Sequence, residues 1–284
     1  MTTTKNTIRA SVDEAKFFAS VKHIFSGSTS FVGELMQNAR RAGAQRVHFD
    51  LDEQTKTLRV TDDGTGIEDF AKLLEFCGSG WDEKIQVSET PFGMGMYSVY
   101  FAGAATTICS RGQQVTIKVD DLLTRRALKV EPSEWNSAGT LVTVHDVDKQ
   151  ILLRDSHPRG RLFHALESAA KGFPIDVGFN GDRLPFPHAE RALSSVNSPV
   201  GQIHLGDSLP RKYVAYLQGL PIGTVSCANT LGRWAFRDDD VCVVHLDNHQ
   251  FSARMPDRSS LYDAELQCER IDAAVVDALR AKLA

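Results

Sequence analysis

The sequence predicts an α+β fold, and three observations carry that expectation. Residues 31–44 (FVGELMQNARRAGA) repeat apolar side chains at helical spacing, and two alternating segments, RVHFDLD (46–52) and TLRVTDD (57–63), follow. Helical and strand patterns then mix as far as residue 183. Beyond a stretch with three prolines and several serines (185–199), a second, smaller set of strands ends in the amphipathic segment 262–283.

Residues 11–23 read as a helix with Ser11 as candidate N-cap, and a Ser/Thr/Gly loop (26–30) separates it from the next. In that next helix Phe31, Val32, Leu35, Met36, Ala39 and Ala42 share one apolar arc at about 100° per residue. Glu34, Asn38 and Arg41 lie along its edge, with Gln37 and Arg40 further out toward water. After the two strands, 68–76 is expected to be helical, 77–93 a loop broken by glycine and proline, and 93–103 a helix. Strands are expected at 104–109, 113–119, 126–131 and 140–146, a helix at 160–171 and a strand in PIDVGFNG (174–181). Residues 185–199 read as a linker. Strands near 200–205, 212–218 and 241–246 precede the closing helix, giving expected domains of 1–184 and 200–284.

Composition bounds function more than it identifies it. At 284 residues the chain can hold one large domain or two medium ones, and 24% charged residues is ordinary for a globular protein. A net charge of −4 provides no global basic field for non-specific nucleic-acid binding. Five scattered cysteines without a CxxC argue against a disulfide framework or zinc site and fit a reducing cytosol. His245 and His249 have helical spacing but follow a strand pattern, so they read as two unrelated surface histidines. No signal-peptide core or apolar run near 18 residues occurs, so a cytoplasmic protein with no membrane partner is expected.

Four boxes carry chemistry. The first is Glu34-x-x-x-Asn38, a carboxylate and an amide one helical turn apart beside a buried face. The second, VTDDGTGI (60–67), ends a strand in two aspartates and turns through Gly64 and Gly66, where the backbone can approach a ligand. The third, TPFGMGMYSVYFAG (90–103), opens a helix at Gly93-Met94-Gly95, whose N–H groups suit an anion. The fourth is SAGTLVTVHDV (137–147), with Gly139-Thr140 starting a strand. Neither glycine pair completes a dinucleotide fingerprint, and the absence of a Gly-Lys dipeptide excludes a P-loop.

In order and spacing, these four boxes resemble those of the Bergerat-fold (GHKL) ATPases, which include the gyrase B subunit, heat-shock-90 chaperones, MutL-type mismatch-repair ATPases and histidine kinases. The resemblance covers roughly residues 10–183. NARRAGAQRVHFDLD is closest to the mismatch-repair group, and PFGMGMYSVYF to the heat-shock-90 chaperones. It implies a sandwich of one mixed sheet with helices on one face, followed by a smaller α/β transducer-like domain.

Carried over residue by residue, the resemblance gives Glu34 the role of polarising the attacking water and Asn38 that of ligating Mg²⁺. Asp62 would accept the adenine amine, Gly64 and Gly66 would allow close approach, and Thr140 would support the adenine. Gly93, Met94 and Gly95 would lie against the phosphates, and 78–91 would form a short lid. Asp63 reads as a solvent-facing turn residue. Two positions depart from the pattern. Arg41 stands where the family commonly has aspartate, and it would either pair with Glu34 or contact phosphate. Thr90 replaces a glycine at the lid hinge. In the second domain Lys212, Arg254 and Arg258 are candidate γ-phosphate sensors, with surface basic residues as the alternative.

The resemblance therefore implies ATP binding, Mg²⁺-dependent hydrolysis and a nucleotide-dependent homodimer. A binding-only module and a histidine-kinase-type protein kinase remain as alternatives. Glu34 and the absence of a preceding phosphoacceptor helix count against the kinase. The client, protein or nucleic acid, is left open.

Overall fold

The alternation in RVHFDLD and TLRVTDD becomes an antiparallel pair, with Val47, Phe49, Leu58 and Val60 buried on one face. A computed structural model of the chain describes residues 14–25, 28–75, 94–154, 157–206, 212–222, 241–254 and 260–284. In chain order the first part comprises α1 (Glu14–Phe25), α2 (Ser30–Arg41), β1 (Arg46–Asp52), β2 (Thr57–Asp62), a 3-10 turn (Phe70–Leu74) and α3 (Gly95–Tyr100). It continues with β3 (Ala105–Ser110), β4 (Gln113–Lys118), α4 (Val119–Leu123), β5 (Glu131–Pro132) and β6 (Thr140–His145), then α5 (Gly160–Ala170), β7 (Asp176–Phe179) and β8 (Asp182–Arg183).

Eight strands form one sheet in the order β5-β4-β3-β6-β2-β1-β7-β8. It is mixed, because β1 pairs parallel with β7 while the other neighbours are antiparallel. Ile108, Val142, Val144 and Val177 join Val47, Phe49, Leu58 and Val60 in a core shared with α1, α2, α3 and α5. Packing holds α2. Thr29 makes no side-chain cap and the first turn has no acid, a loss of about 1 kcal/mol. Burial of Phe31, Val32, Leu35 and Met36, at roughly 1.5–3 kcal/mol each, outweighs it.

The second sheet comprises β9 (Val196–Ser198), β10 (Gly201–His204), β11 (Lys212–Leu217), β12 (Leu220–Ile222) and β13 (Val241–Leu246), in the order β12-β11-β13-β10-β9. The closing helix α6 (Ala264–Leu283) packs Ile271, Ala274 and Val275 onto it. His188 links the two parts: its Nδ1 lies 2.7 Å from the Tyr216 hydroxyl and its carbonyl 2.7 Å from His245 Nε2.

Several expectations are corrected. Gln37 is buried, with 1% of its surface exposed, and Arg41 is buried too. The 185–199 stretch contains a 3-10 turn (Glu190–Ala192) and β9, which pairs with β10. The strand expected at 126–131 is only Glu131–Pro132, since β4 is the sheet's last long strand and β5 meets it at two positions. The helix expected at 68–76 is a 3-10 turn, and the one expected over 93–103 ends at Tyr100. His245 is buried, and that burial holds its pKa below the usual histidine value. Asp63 accepts hydrogen bonds from the backbone N–H groups of Gln45 (2.8 Å) and Arg46 (3.1 Å), tying the start of β1 to the end of β2.

Candidate nucleotide site

Strand register assembles one side of the site. Ser110 pairs with Thr140 and Thr61 with Leu141, so the ends of β3 and β2 and the start of β6 lie side by side. Asp62, one residue past Thr61, is thereby brought to Thr140, whose backbone and side chain both hydrogen-bond its carboxylate. Its Oδ1 also accepts the Gly64 N–H at 2.9 Å. Burial pushes the Asp62 pKa above the usual carboxylate value, and these hydrogen bonds only partly oppose it. A buried carboxylate kept at a strand end is costly, and an amine donor would offset that cost.

The turn after Asp62 is fixed to its surroundings at both ends. Thr65 N–H donates to the carbonyl of Ala42, just past α2, at 2.9 Å. Ile67 N–H donates to Ser110 Oγ (3.0 Å), and that hydroxyl donates to the Gly139 carbonyl (2.8 Å). Gly66 sits at φ +75°, and a Cβ there would lie 2.5 Å from Ser110 Oγ, so only glycine fits. Ser110 was not singled out in the sequence; its only signal is a hydroxyl at the strand end of TTICSRG.

A second group of candidate residues comes from α2 and α3. A Cβ on Gly95 would fall inside the Glu34 carboxylate, so the glycine at the start of α3 lets the two helices close on that acid. Asn38 Nδ2 donates to Met96 Sδ at 3.4 Å, which leaves its Oδ1 as the amide's acceptor on this side. Tyr97 and Tyr100 of α3 donate their hydroxyls to the carbonyls of Leu74 and Leu73. Burial, then Tyr97, then the Glu34 charge push the Tyr100 pKa upward.

Glu34 and Asn38 thus meet Gly95 and Met96 between α2 and α3, with Met94 just before α3, while Asp62, Gly64, Gly66 and Thr140 gather at three strand ends that the Thr65–Ala42 hydrogen bond ties to the end of α2. Gly93, the 78–91 lid, Thr90 and Arg258 lie outside the described residues. Lys212 begins β11 opposite Val241, and the exposed Arg254 bonds through its N–H to the Ser260 carbonyl. The described contacts that reach α2 from the second sheet run instead through the β11–β12 hairpin.

Elsewhere His157, His164 and Glu167 cluster on and before α5. His157 Nδ1 accepts the Arg159 N–H at 3.2 Å, and its Nε2 lies 4.0 Å from Glu167 Oε2.

No family model matches the chain, and no curated protein is similar to it in sequence. Solved structures do match. One is the N-terminal domain of a DNA repair protein, at 13% identity and a TM-score of 0.56, covering 94% of this chain and 99% of that one. Another is the ATPase region of Saccharomyces cerevisiae topoisomerase II bound to dexrazoxane, at 11% identity and 0.52, covering 82% and 76%. The likeness is one of fold: an α+β sandwich on an eight-stranded mixed sheet, followed by a second, five-stranded sheet. Among the described residues no helix is long and apolar enough to cross a membrane.

Proposed function

We propose that the chain is an ATP-binding, Mg²⁺-dependent ATPase whose nucleotide state drives conformational change and homodimerisation, with residues 1–184 as the ATP-binding domain and 200–284 as the transducer-like one. Two contact groups support this reading: Glu34 and Asn38 of α2 meet Gly95 and Met96 of α3, and Asp62 meets Gly64 and Thr140 at the ends of β2 and β6, where the Thr65 N–H ties the turn to Ala42 just past α2. Asp62 and Thr140 would receive adenine, with Gly66 allowing the base to come close. Asn38 Oδ1 would hold Mg²⁺, which would neutralise phosphate charge. Gly93, Met94 and Gly95 would take the phosphates. Glu34 would accept a proton from water attacking the γ-phosphate.

The test is phosphate release from ATP with and without Mg²⁺, repeated with nucleic acids, alongside transfer of labelled phosphate to protein. Mg²⁺-dependent release without transfer is expected. Nucleotide binding without release would leave the binding-only module, and label on protein would make it a kinase.

Arg41 favours that second, binding-only reading, because a buried cation shares the edge of α2 with the acid. Arg41→Asp is expected to change turnover by about tenfold or more at temperatures where the variant stays folded. A rise would assign Arg41 to restraining Glu34, and a fall with weaker binding would assign it to phosphate. Unchanged turnover and affinity would remove it from the site.

A non-hydrolysable ATP analogue with Mg²⁺ is expected to raise the mass seen by sedimentation velocity, and ADP to raise it less. A ligand shifts an equilibrium only by its differential affinity for the two states. A monomer in every nucleotide state would end the dimer reading. Dimerisation untouched by Arg254→Ala, Arg258→Ala or Lys212→Ala would discard only the sensor.

A further inference from the structure

The strip of α2 next to Glu34 and Asn38 is Gly33 and Gln37, and it faces the second sheet. β11 and β12 are joined by Gln218 and Gly219, at φ +55° and +78°, a two-residue turn of the type that closes tight hairpins. Gln37 Nε2 donates to the Gln218 carbonyl at 2.8 Å, while its Oε1 accepts from Arg40 Nε at 2.9 Å. The amide is buried with both ends bonded, so losing either partner leaves a desolvated polar atom. One turn earlier, Gly33 has no side chain. A Cβ there would stand 3.1 Å from Leu220 Cδ1, and Leu220 belongs to the core of the first sheet.

The hairpin tip is held from behind as well. A Cβ on Gly219 would lie 2.6 Å from Pro174 Cδ, and one on Gly172 would enter the Tyr216 ring. The tip is therefore wedged between α2 and the corner that follows α5. Gly95 meets the Glu34 strip and the hairpin meets the Gly33–Gln37 strip, about 100° round the same helix. A rotation of α2 that parted it from the hairpin would carry Glu34 off Gly95.

Resting on the ATPase reading above, we propose that the β11–β12 hairpin positions Glu34 through Gln37, making hydrolysis depend on the seating of the second sheet against α2. Gln37 is a positioning residue; it acts through the helix and not on the nucleotide. Misplacing a reacting group by about 1 Å costs on the order of 10²-fold in rate. The adenine contacts proposed for Asp62 and Thr140 at the strand ends do not depend on α2, so affinity should fall much less than kcat.

The test uses the full chain with Gln37→Met, which keeps length without the hydrogen bonds, and Leu220→Ala on the opposite side. Each is expected to lower kcat by about 10- to 100-fold, with affinity for a non-hydrolysable ATP analogue within about threefold and the double variant less than additive. Wild-type kcat in both variants below their melting temperatures would overturn the proposal, as would equal losses in kcat and affinity. Hydrogen exchange gives a readout without hydrolysis. The analogue should slow exchange at the Gln218–Leu220 amides in wild type and not in Gln37→Met, and no change in wild type would overturn coupling. A wild type that binds no nucleotide would instead remove the ATPase reading, and this inference with it.

Discussion

Glu34→Ala is expected to abolish most ATP turnover while leaving ATP affinity within a few-fold. A general base typically contributes about 10²–10⁴-fold, and alanine removes both the acceptor and the charge. The structure adds a reason why binding should survive. Glu34 meets the start of α3 at Gly95, where a side chain has no room, whereas the partly buried carboxylate of Asp62 is held among the strand ends by Gly64 and Thr140. Removing the acid opens space beside Gly95 without disturbing Asp62 or Thr140. Single-turnover phosphate release with calorimetry of the analogue separates the two quantities. Turnover unchanged in the variant would end the assignment of Glu34 as base.

Asp62→Asn is expected to do the reverse, weakening nucleotide binding itself by about 10- to 100-fold, the scale of one buried unsatisfied donor. Because Oδ1 already accepts the Gly64 N–H, the substituted amide would keep its oxygen there. Its NH₂ would then replace the second carboxylate oxygen and oppose the adenine amine, donor against donor. Wild-type affinity in calorimetry would take Asp62 out of the adenine site.

In the free protein the same substitution gives up an acceptor for Thr140, and its pH dependence isolates the cost of the buried charge. Asp62 is raised above its ordinary value of 3.8, chiefly by burial. Below that value the folded and unfolded chains both hold the proton and burial of charge costs nothing. As pH rises the unfolded chain ionises first, so the fold loses stability until the pH passes the raised pKa, above which the cost is constant. The melting temperature of Asp62→Asn relative to wild type should therefore improve as pH rises from 3.8 through the raised pKa and then level off. A relative fall would mean that the charge is stabilised in place.

The local geometry of the candidate site was legible where its residues announce themselves locally. Asp-x-Gly-x-Gly after a strand and glycines opening a helix require particular backbone shapes, and the apolar arc of α2 put Glu34 and Asn38 at its border. What stayed hidden depends on partners far along the chain. Gln37 looks like a surface residue by helical spacing, and only a carbonyl from Gln218 makes its burial tolerable. His245 is inside because His188 offers it a carbonyl. β9 is three residues long with no alternation of its own, and pairing with β10 defines it. The Ser110 hydroxyl bridges two loops whose proximity comes from strand register, which no single segment encodes.

The parallel pairing of β1 with β7 sets Arg46 beside Asp176 and Phe49 beside Phe179, while the antiparallel side of β1 meets only its neighbour in sequence. During synthesis, then, β1 and β2 can zip together early, but the other edge of β1 stays bare until the chain has grown past Phe179. Long-range parallel pairing is slow to form, and an unpaired strand edge templates aggregation meanwhile. Fragments ending before β7 should therefore precipitate or recruit chaperones, whereas fragments that carry β7 and β8 should stay soluble, even though both contain Glu34, Asn38, Asp62 and Thr140.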